Sequence, residues 1–570
     1  MQKSWIPFLA LVLGLGAYGH ICGQDGQSTL LSAMSEEVQR AANALAKADP
    51  PGYFISYSAY DRDSAALAST LGATIRSDAM RSRTADVVVR VGNSVLDSTH
   101  GMPMSGLMSD NLPLADDPQA IARILWRVTD AAYKRAAMAY LNIKARATVR
   151  PEDEDRSPDF SQEPAHTRVE VAAPALAYDA KLWEERVNRY SAAFRRYPEL
   201  QTSGVLFQVD RLQCAFVSSE GTALTQSSVL ARLMVHGATL ADDGMELARG
   251  DVMQSRTVAE LPSEAEVLAR IDKVAADLKA LRSAPVAEPF VGPALLSGEA
   301  AAVFFHEVLG HRLEGNRQRN EQEGQTFAKR VNQQILPEFL SVISDPTLKE
   351  LNGTALTGAY EFDQEGVPGS RVDLIVNGIL KNFLMSRLPI RDFSHSNGHG
   401  RSEPGRPVVA RQSNFIVRSA KTTADSELRQ RLIEEARRQG KPYGLYFENM
   451  LGGFTITQRG LPQSFQLAPV MVWRIHVDGS PDELIRGVDI VGTPLAALHN
   501  ILITGEKLSI FNGMCGAESG EIPVAAVAPA ILFSSIEIQK RAQTRTRPPI
   551  LAPPGVDATS TGNRPGEVSR

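Results

Sequence analysis

The chain has 570 residues, 43% of them hydrophobic and 22% charged, with a formal net charge of -5. That length is several times a typical domain and excludes a lone small binding module, while the ordinary composition excludes collagen-like, coiled-coil and largely disordered chains. The slight acidity supplies no general field for polyanions, so nucleic acid is not expected as a partner.

Taken in chain order, residues 1–24 read as an export signal. Lys3 gives the positive start, Ile6 to Leu15 the apolar run, and Ala17-Tyr18-Gly19 the small residues that a signal peptidase reads. The run is too short to span a bilayer, and no later stretch is long and apolar enough to do so. The mature chain is therefore expected outside the cytoplasm, periplasmic or secreted, with no integral membrane span. Cys22 raises lipidation as a minor alternative, against which Ile21 stands where a small residue is usual. Only three cysteines occur, so no disulfide framework is expected. Cys214 sits in a strand-like apolar run and reads as a small buried hydrophobe, with a single bridge to Cys515 as the other option.

Leu30 to Ala46 has helical spacing, and Tyr53 to Tyr60 and Ala85 to Leu96 alternate as strands do. Asp117-Pro118 opens a long helix running to about Ala145, and residues 150–167, rich in Pro, Asp and Glu, predict an exposed loop. Tyr178 to Tyr197 is helical, Gly204 to Met234 strand-like, and Ser263 with Glu266 forms a capping box for a helix to about Leu281. Residues 285–293 read as a linker. Beyond it one helix is predicted from Ser297 to about Glu314, stopped by Gly315-Asn316. Mostly sheet follows, with a hairpin at Asn377-Gly378, a strand ending at Asp478-Gly479, and a helix from Asp425 to Gln439 closed by Gly440. From Arg541 the composition reads as a disordered tail. The expected fold class is α+β in two domains: a mixed α/β domain over 25–288, and a strand-rich domain over 289–540 that carries the 297–314 helix.

That helix holds the informative segment, His306-Glu307-Val308-Leu309-Gly310-His311. Two imidazoles beside a carboxylate are the materials of a metal-assisted hydrolase, with the histidines as ligands and Glu307 as general base. The ordinary zinc-protease helix spaces its histidines by four, which puts them on one face. Here they are five apart, which on a regular helix separates the rings by about 140°. A π-type turn relieved by Gly310 is the distortion expected to bring them together; otherwise they are core or surface histidines. A catalytic zinc needs a third protein ligand. His395, His399, His476, His499, Cys515 and many carboxylates are candidates; His395 reads as a surface residue. Cys515 lies between Gly513 and Gly516, in a loop that could bring a thiolate to a cation, with a buried structural cysteine as the alternative.

Together with Gly298-Glu299-Ala300-Ala301, the segment Asp363 to Gly369, Ser396-Asn397-Gly398-His399-Gly400-Arg401, Gly452-Gly453, Arg486-Gly487 and Met514-Cys515-Gly516, this motif resembles the TldD/PmbA family of metallopeptidases. The similarity runs from about Gly292 to Ile538. The resemblance implies one zinc per active subunit, held by His306, His311 and Cys515, with Glu307 catalytic and water activated by the metal. It implies hydrolysis of unfolded or short peptides within a dimer. The chain retains all four motif residues and so resembles the active, TldD-like subunit, pairing as a homodimer or with a PmbA/TldE-like partner. His399 and Arg401 are expected either to grip substrate or to hold their loop by side-chain hydrogen bonds. The competing functions are a non-catalytic peptide-binding or assembly subunit and a metal-dependent hydrolase of non-peptide amides.

Overall fold

Alternation along the chain builds the first sheet. Ile55, Tyr57 and Ala59 share one face with Val87, Val89 and Val91, and all six are buried in one cluster with helices Thr29–Leu45 and Pro118–Arg146. This computed structural model describes residues 29–101, 103–146, 155–170, 176, 178–542, 546 and 551. The export signal, part of the acidic loop and nearly all of the tail lie outside the described residues.

The seven-stranded sheet is mainly antiparallel. Its order is Leu107–Asn111, Ala73–Val91, Gly52–Thr70, Thr202–Ser218 and Ala223–Leu240, with Thr167–Val169 and Glu246–Ser255 both pairing with the last of these. The strands are longer than the sequence pattern suggests. Gly52–Thr70 and Ala73–Val91 form one hairpin, turned at Leu71 and Gly72 with φ of 47° and 84°. Leucine in that region is uncommon, so the sequence carries no signal for the turn. Gly204 to Met234 is likewise two strands rather than one run. Further along the same face, helices Ala180–Ala192 and Glu264–Ser283 cover a second cluster, in which Trp183 stacks on Phe207 with ring centroids 4.1 Å apart. Ser263 and Glu266 form the expected capping box.

The second sheet has fourteen strands and is organised around one long strand, Gly520–Lys540. This strand pairs with Ile501–Ala517, Phe290–Leu296, Asn414–Ser419 and Val488–Gly492. Part of the expected linker is therefore a core strand, because Phe290–Leu296 is apolar enough to be buried between neighbours. The hairpin at Asn377-Gly378 and the helix Asp425–Arg438 ending near Gly440, φ 64°, stand where their signals put them. The helix expected over 297–314 is shorter: it spans Gly298–Val308 and gives way to a 3-10 turn at Gly310–Leu313.

Buried polar residues join the sheets. Arg387 donates to Glu220 and to the carbonyl of Ser161, and its guanidinium lies 3.9 Å from the Phe160 ring centroid. Arg319 pairs with Asp159 at 2.5 Å. Among the described residues no helix is long and apolar enough to cross a membrane.

The short helix is held by aromatic packing. Phe304 is fully buried and meets Phe533 and Phe465 edge-on, with centroids 5.1 and 5.8 Å away. Phe304→Ala is expected to lower stability by about 3–5 kcal/mol, read by chemical denaturation.

Candidate metal centre

Helix Gly298–Val308 starts with Ser297, whose side chain accepts from the Ala300 amide. It is buried almost all round, and Gly298 is required there: a Cβ would lie 2.4 Å from Ser509 Oγ on the strand that also carries Cys515. The helix ends at Leu309, which at φ -116° and ψ -49° still closes a bond to the Phe305 carbonyl but stretches the helical geometry. The turn tightens rather than widening into a π-bulge, and this swings His311 back toward His306. Gly310 matters here for space: a Cβ would stand 2.0 Å from Gln412 Oε1. Gln412 Nε2 donates to the His306 carbonyl at 3.3 Å, satisfying one of the helix's last acceptors.

The break brings the two rings to a centroid separation of 5.0 Å at 78°. Cys515 arrives on strand Ile501–Ala517, paired with Ile522, and not on a loop as its flanking glycines suggested. Its Sγ lies 3.2 Å from His306 Nε2 and 3.4 Å from His311 Nε2. The donor atoms of all three residues fall within 4.8 Å of one another, and all three residues are buried. A tetrahedral zinc with ordinary bond lengths would hold its ligand atoms about 3.3–3.7 Å apart; the two separations from the sulfur lie close to that range, and two imidazoles with a thiol are ligand types that zinc takes.

Comparison with known proteins agrees with the motif. The profile of the PmbA/TldA metallopeptidase C-terminal domain matches residues 291–540. Residues 291–540 belong to the PmbA/TldD family. An Archaeoglobus fulgidus protein named "Metalloprotease" is 29% identical over 239 residues, covering 42% of this chain and 51% of that protein. The "Zinc metalloprotease TldD homolog" of Saccharolobus solfataricus is 25% identical over 250 residues, 43% of this chain and 51% of that protein. The chain thus aligns over about half the length of these two relatives. The solved structure of TldE from Thermococcus kodakarensis shares the fold, with TM-score 0.61, 14% identity, and coverage of 89% of this chain and 100% of that one.

In this PmbA/TldD domain a shell of residues that sequence reasoning missed supports the trio. Glu314, fully buried, meets His311 Nδ1 at 3.1 Å and leaves Nε2 facing Cys515. Burial opposes its charge, but His311 and Arg317 beside it hold the carboxyl down at about 2. Burial likewise opposes charge on the other two, yet Cys515 and Glu314 hold the His311 ring well above its ordinary value, and His311 and His306 hold the Cys515 thiol well below. Glu307 has one carboxylate oxygen 3.9 Å from His311 Nε2. Strand Met450–Thr455 passes over it: a Cβ on Gly453 would stand 3.0 Å from Glu307 Cγ. Arg312 bonds Thr455 and the Ile456 carbonyl, tying that strand to the turn, and burial lowers its pKa to about 10.

The other candidates lie elsewhere. His399 is fully buried, with Nε2 at 3.0 Å from Ser344 Oγ and Nδ1 at 3.0 Å from Asn397 Oδ1. Arg401 donates to the Gln412 carbonyl at 2.8 Å and lies over the Tyr360 ring. Both hold the loop that carries Gln412, and neither lines the cavity beside the trio. His395 is largely exposed, His499 sits on a surface helix end, and His476 pairs with Tyr443 in the sheet. Cys214 and Cys515 are both free, and burial pushes the Cys214 thiol up to about 12.

A cavity of about 920 Å³ lies between the first sheet and the loops around the trio. Its wall includes Ser56, Ser58 and Arg90 from the sheet, and Arg317, Thr455 and Glu518 from the other side. It does not contain the trio itself, but Arg317 bonds Glu314 at 2.8 Å and Thr455 bonds Arg312.

Gly310→Ala is expected to displace Gln412 and to reduce metal content, checked by elemental analysis against a far-ultraviolet spectrum of the fold. A second expectation concerns His399. Burial lowers its ring from 6.5 to about 4, so an unfolded chain protonates first as pH falls, and the stability carried by the neutral ring declines between those values. His399→Gln should flatten the stability curve over that interval; an unaltered slope would count against the neutral buried ring.

Proposed function

We propose that this protein is a zinc-dependent metallopeptidase that hydrolyses unfolded or short peptides. The observation carrying this reading is the convergence of His306, His311 and Cys515 within 4.8 Å. Glu307 lies on the same turn, and Glu314 stands behind His311. His306 and His311 would hold the ion through Nε2, and Cys515 through Sγ. When bound, zinc supplies a Lewis acid for a peptide carbonyl and lowers the pKa of water.

The chain's own residues do the rest. Glu307 takes the proton of the attacking water at a carboxylate oxygen and returns it to the leaving amine. Glu314, accepting from His311 Nδ1, fixes the ring so that Nε2 carries the lone pair. The neighbouring cavity supports a peptide substrate, since it mixes apolar walls such as Phe54 and Val88 with buried hydroxyls at Ser56 and Ser58. The reading extends to location and assembly. The signal-like composition of residues 1–24 supports an exported, periplasmic or secreted enzyme, and the likeness to TldE supports pairing with a second copy or with a TldE-like subunit.

Elemental analysis of the purified protein is expected to find about one zinc per chain, with a large loss in His311→Ala and Cys515→Ser. Glu307→Gln should keep the metal and lower peptide hydrolysis by about 10²–10⁴-fold. Undiminished turnover in that variant would remove Glu307 as the base. A metal-replete parent that cleaves small amides but no extended peptide would reassign the substrate.

A further inference from the structure

We propose that Arg411 is the positioning residue of the metal centre, fixing the Cys515 sulfur over the two histidines and coupling it to Glu314. The inference rests on the zinc reading above and assigns a role to a side chain that the motif does not contain.

Arg411 follows the short strand Val409–Ala410 and has no exposed side-chain surface. Its Nη2 donates to the Cys515 carbonyl at 2.7 Å and approaches the Cys515 sulfur at 3.2 Å. Nη1 donates to Ser519 Oγ at 2.6 Å and to the Gly520 carbonyl at 3.2 Å. Nε makes no hydrogen bond and stands 3.6 Å from Glu314 Oε1. A buried guanidinium is tolerated only where acceptors surround it, and here those acceptors belong to the hairpin whose strand carries Cys515 and to the carboxylate behind His311.

Contact with both the carbonyl oxygen and the sulfur of one residue restricts that residue's side-chain torsion. The planar fork aims Nη2 at them by anchoring the other nitrogen, Nη1, on Ser519 and Gly520, two fixed directions that a single lysine ammonium does not provide. The adjacent Gln412 completes the arrangement by donating to the His306 carbonyl. One dipeptide therefore reaches all three donor residues: Cys515 directly, His306 through its backbone, and His311 through Glu314. Its own place is set by the Arg411 amide donating to the His399 carbonyl at 2.9 Å and by the Arg401 bond to Gln412. This is the service that buried His399 and Arg401 perform.

The test uses the full chain with Arg411→Lys and Arg411→Gln. Zinc affinity is measured by chelator competition, and cobalt is exchanged into the site so that the thiolate-to-cobalt charge-transfer band can be recorded. Both variants are expected to bind zinc about 10–100-fold more weakly, and the band should move because an N–H donor has left the sulfur. Thermal unfolding serves as the control for the fold. If Arg411→Gln does not fold, Ser519→Ala removes one anchor of the guanidinium and should shift the band in the same direction by less. A parent without zinc would sink the metal reading itself. A parent with zinc, and a band that stays put in the variants that fold, would overturn the role of Arg411 whatever happens to affinity.

Discussion

Glu314 is a carboxylate with no exposed side-chain surface, and such a group is stable only where positive partners surround it. Its two oxygens meet His311 at 3.1 Å and Arg317 at 2.8 Å, with Arg411 at 3.6 Å. His311 and Arg317 flank it three residues to either side and Arg411 comes from a distant segment, so satisfying one charge ties the turn to the stretch that carries Arg411. His311 is held in orientation, Arg317 reaches on to Glu323 and Glu518, and Arg411 reaches to Cys515. The backbone takes part as well: the Gly315 amide donates to the Leu384 carbonyl, and the Leu384 amide donates to that of Leu313. Moving the 3-10 turn would therefore unpair charges in a medium that cannot solvate them.

The same economy of space explains the glycines near the trio. Gly310 is where Gln412 comes too close for a Cβ, and at Gly453 Leu467 does so with Glu307 packed beside it. The first sheet then supplies what the second lacks. One face carries an ordinary hydrophobic core, whereas the opposite face presents Ser56, Ser58 and Asp86, all buried yet polar. A polar face that is enclosed without being a core is the lining of a chamber. Burial raises the Asp86 carboxyl, which is held by Ser109 and by the Gly405 amide.

Features with local chemistry were legible in the sequence. The Asn377-Gly378 hairpin, the Ser263 capping box and the α+β mixture follow from turn residues, caps and periodicity. The His306, Glu307, His311 segment announced itself by composition, but the way its spacing is accommodated did not. A helix that ends early at Leu309 and one that bulges look alike when only residue types are known. Arg411, Gln412, Ser413 and Asn414 were invisible for a different reason: four polar residues in succession resemble a surface loop, yet all are buried. Their burial is set by partners a hundred residues away, and no local pattern encodes that. Cys515 stood between ligand and core cysteine on its residues alone, and only the family resemblance tipped it.

Cys515 lies 209 residues from His306, on a strand whose partner runs to Lys540. The two histidines share one turn early in the second sheet, whereas the sulfur reaches them only after the last long hairpin has paired. Non-local pairing of this kind forms late, since loop closure must precede the contacts that reward it. A nascent chain therefore lacks the third member of the trio through most of its synthesis. The order of the residues along the polypeptide thus makes completion of the trio one of the last steps of folding, after the surrounding walls exist to enclose it.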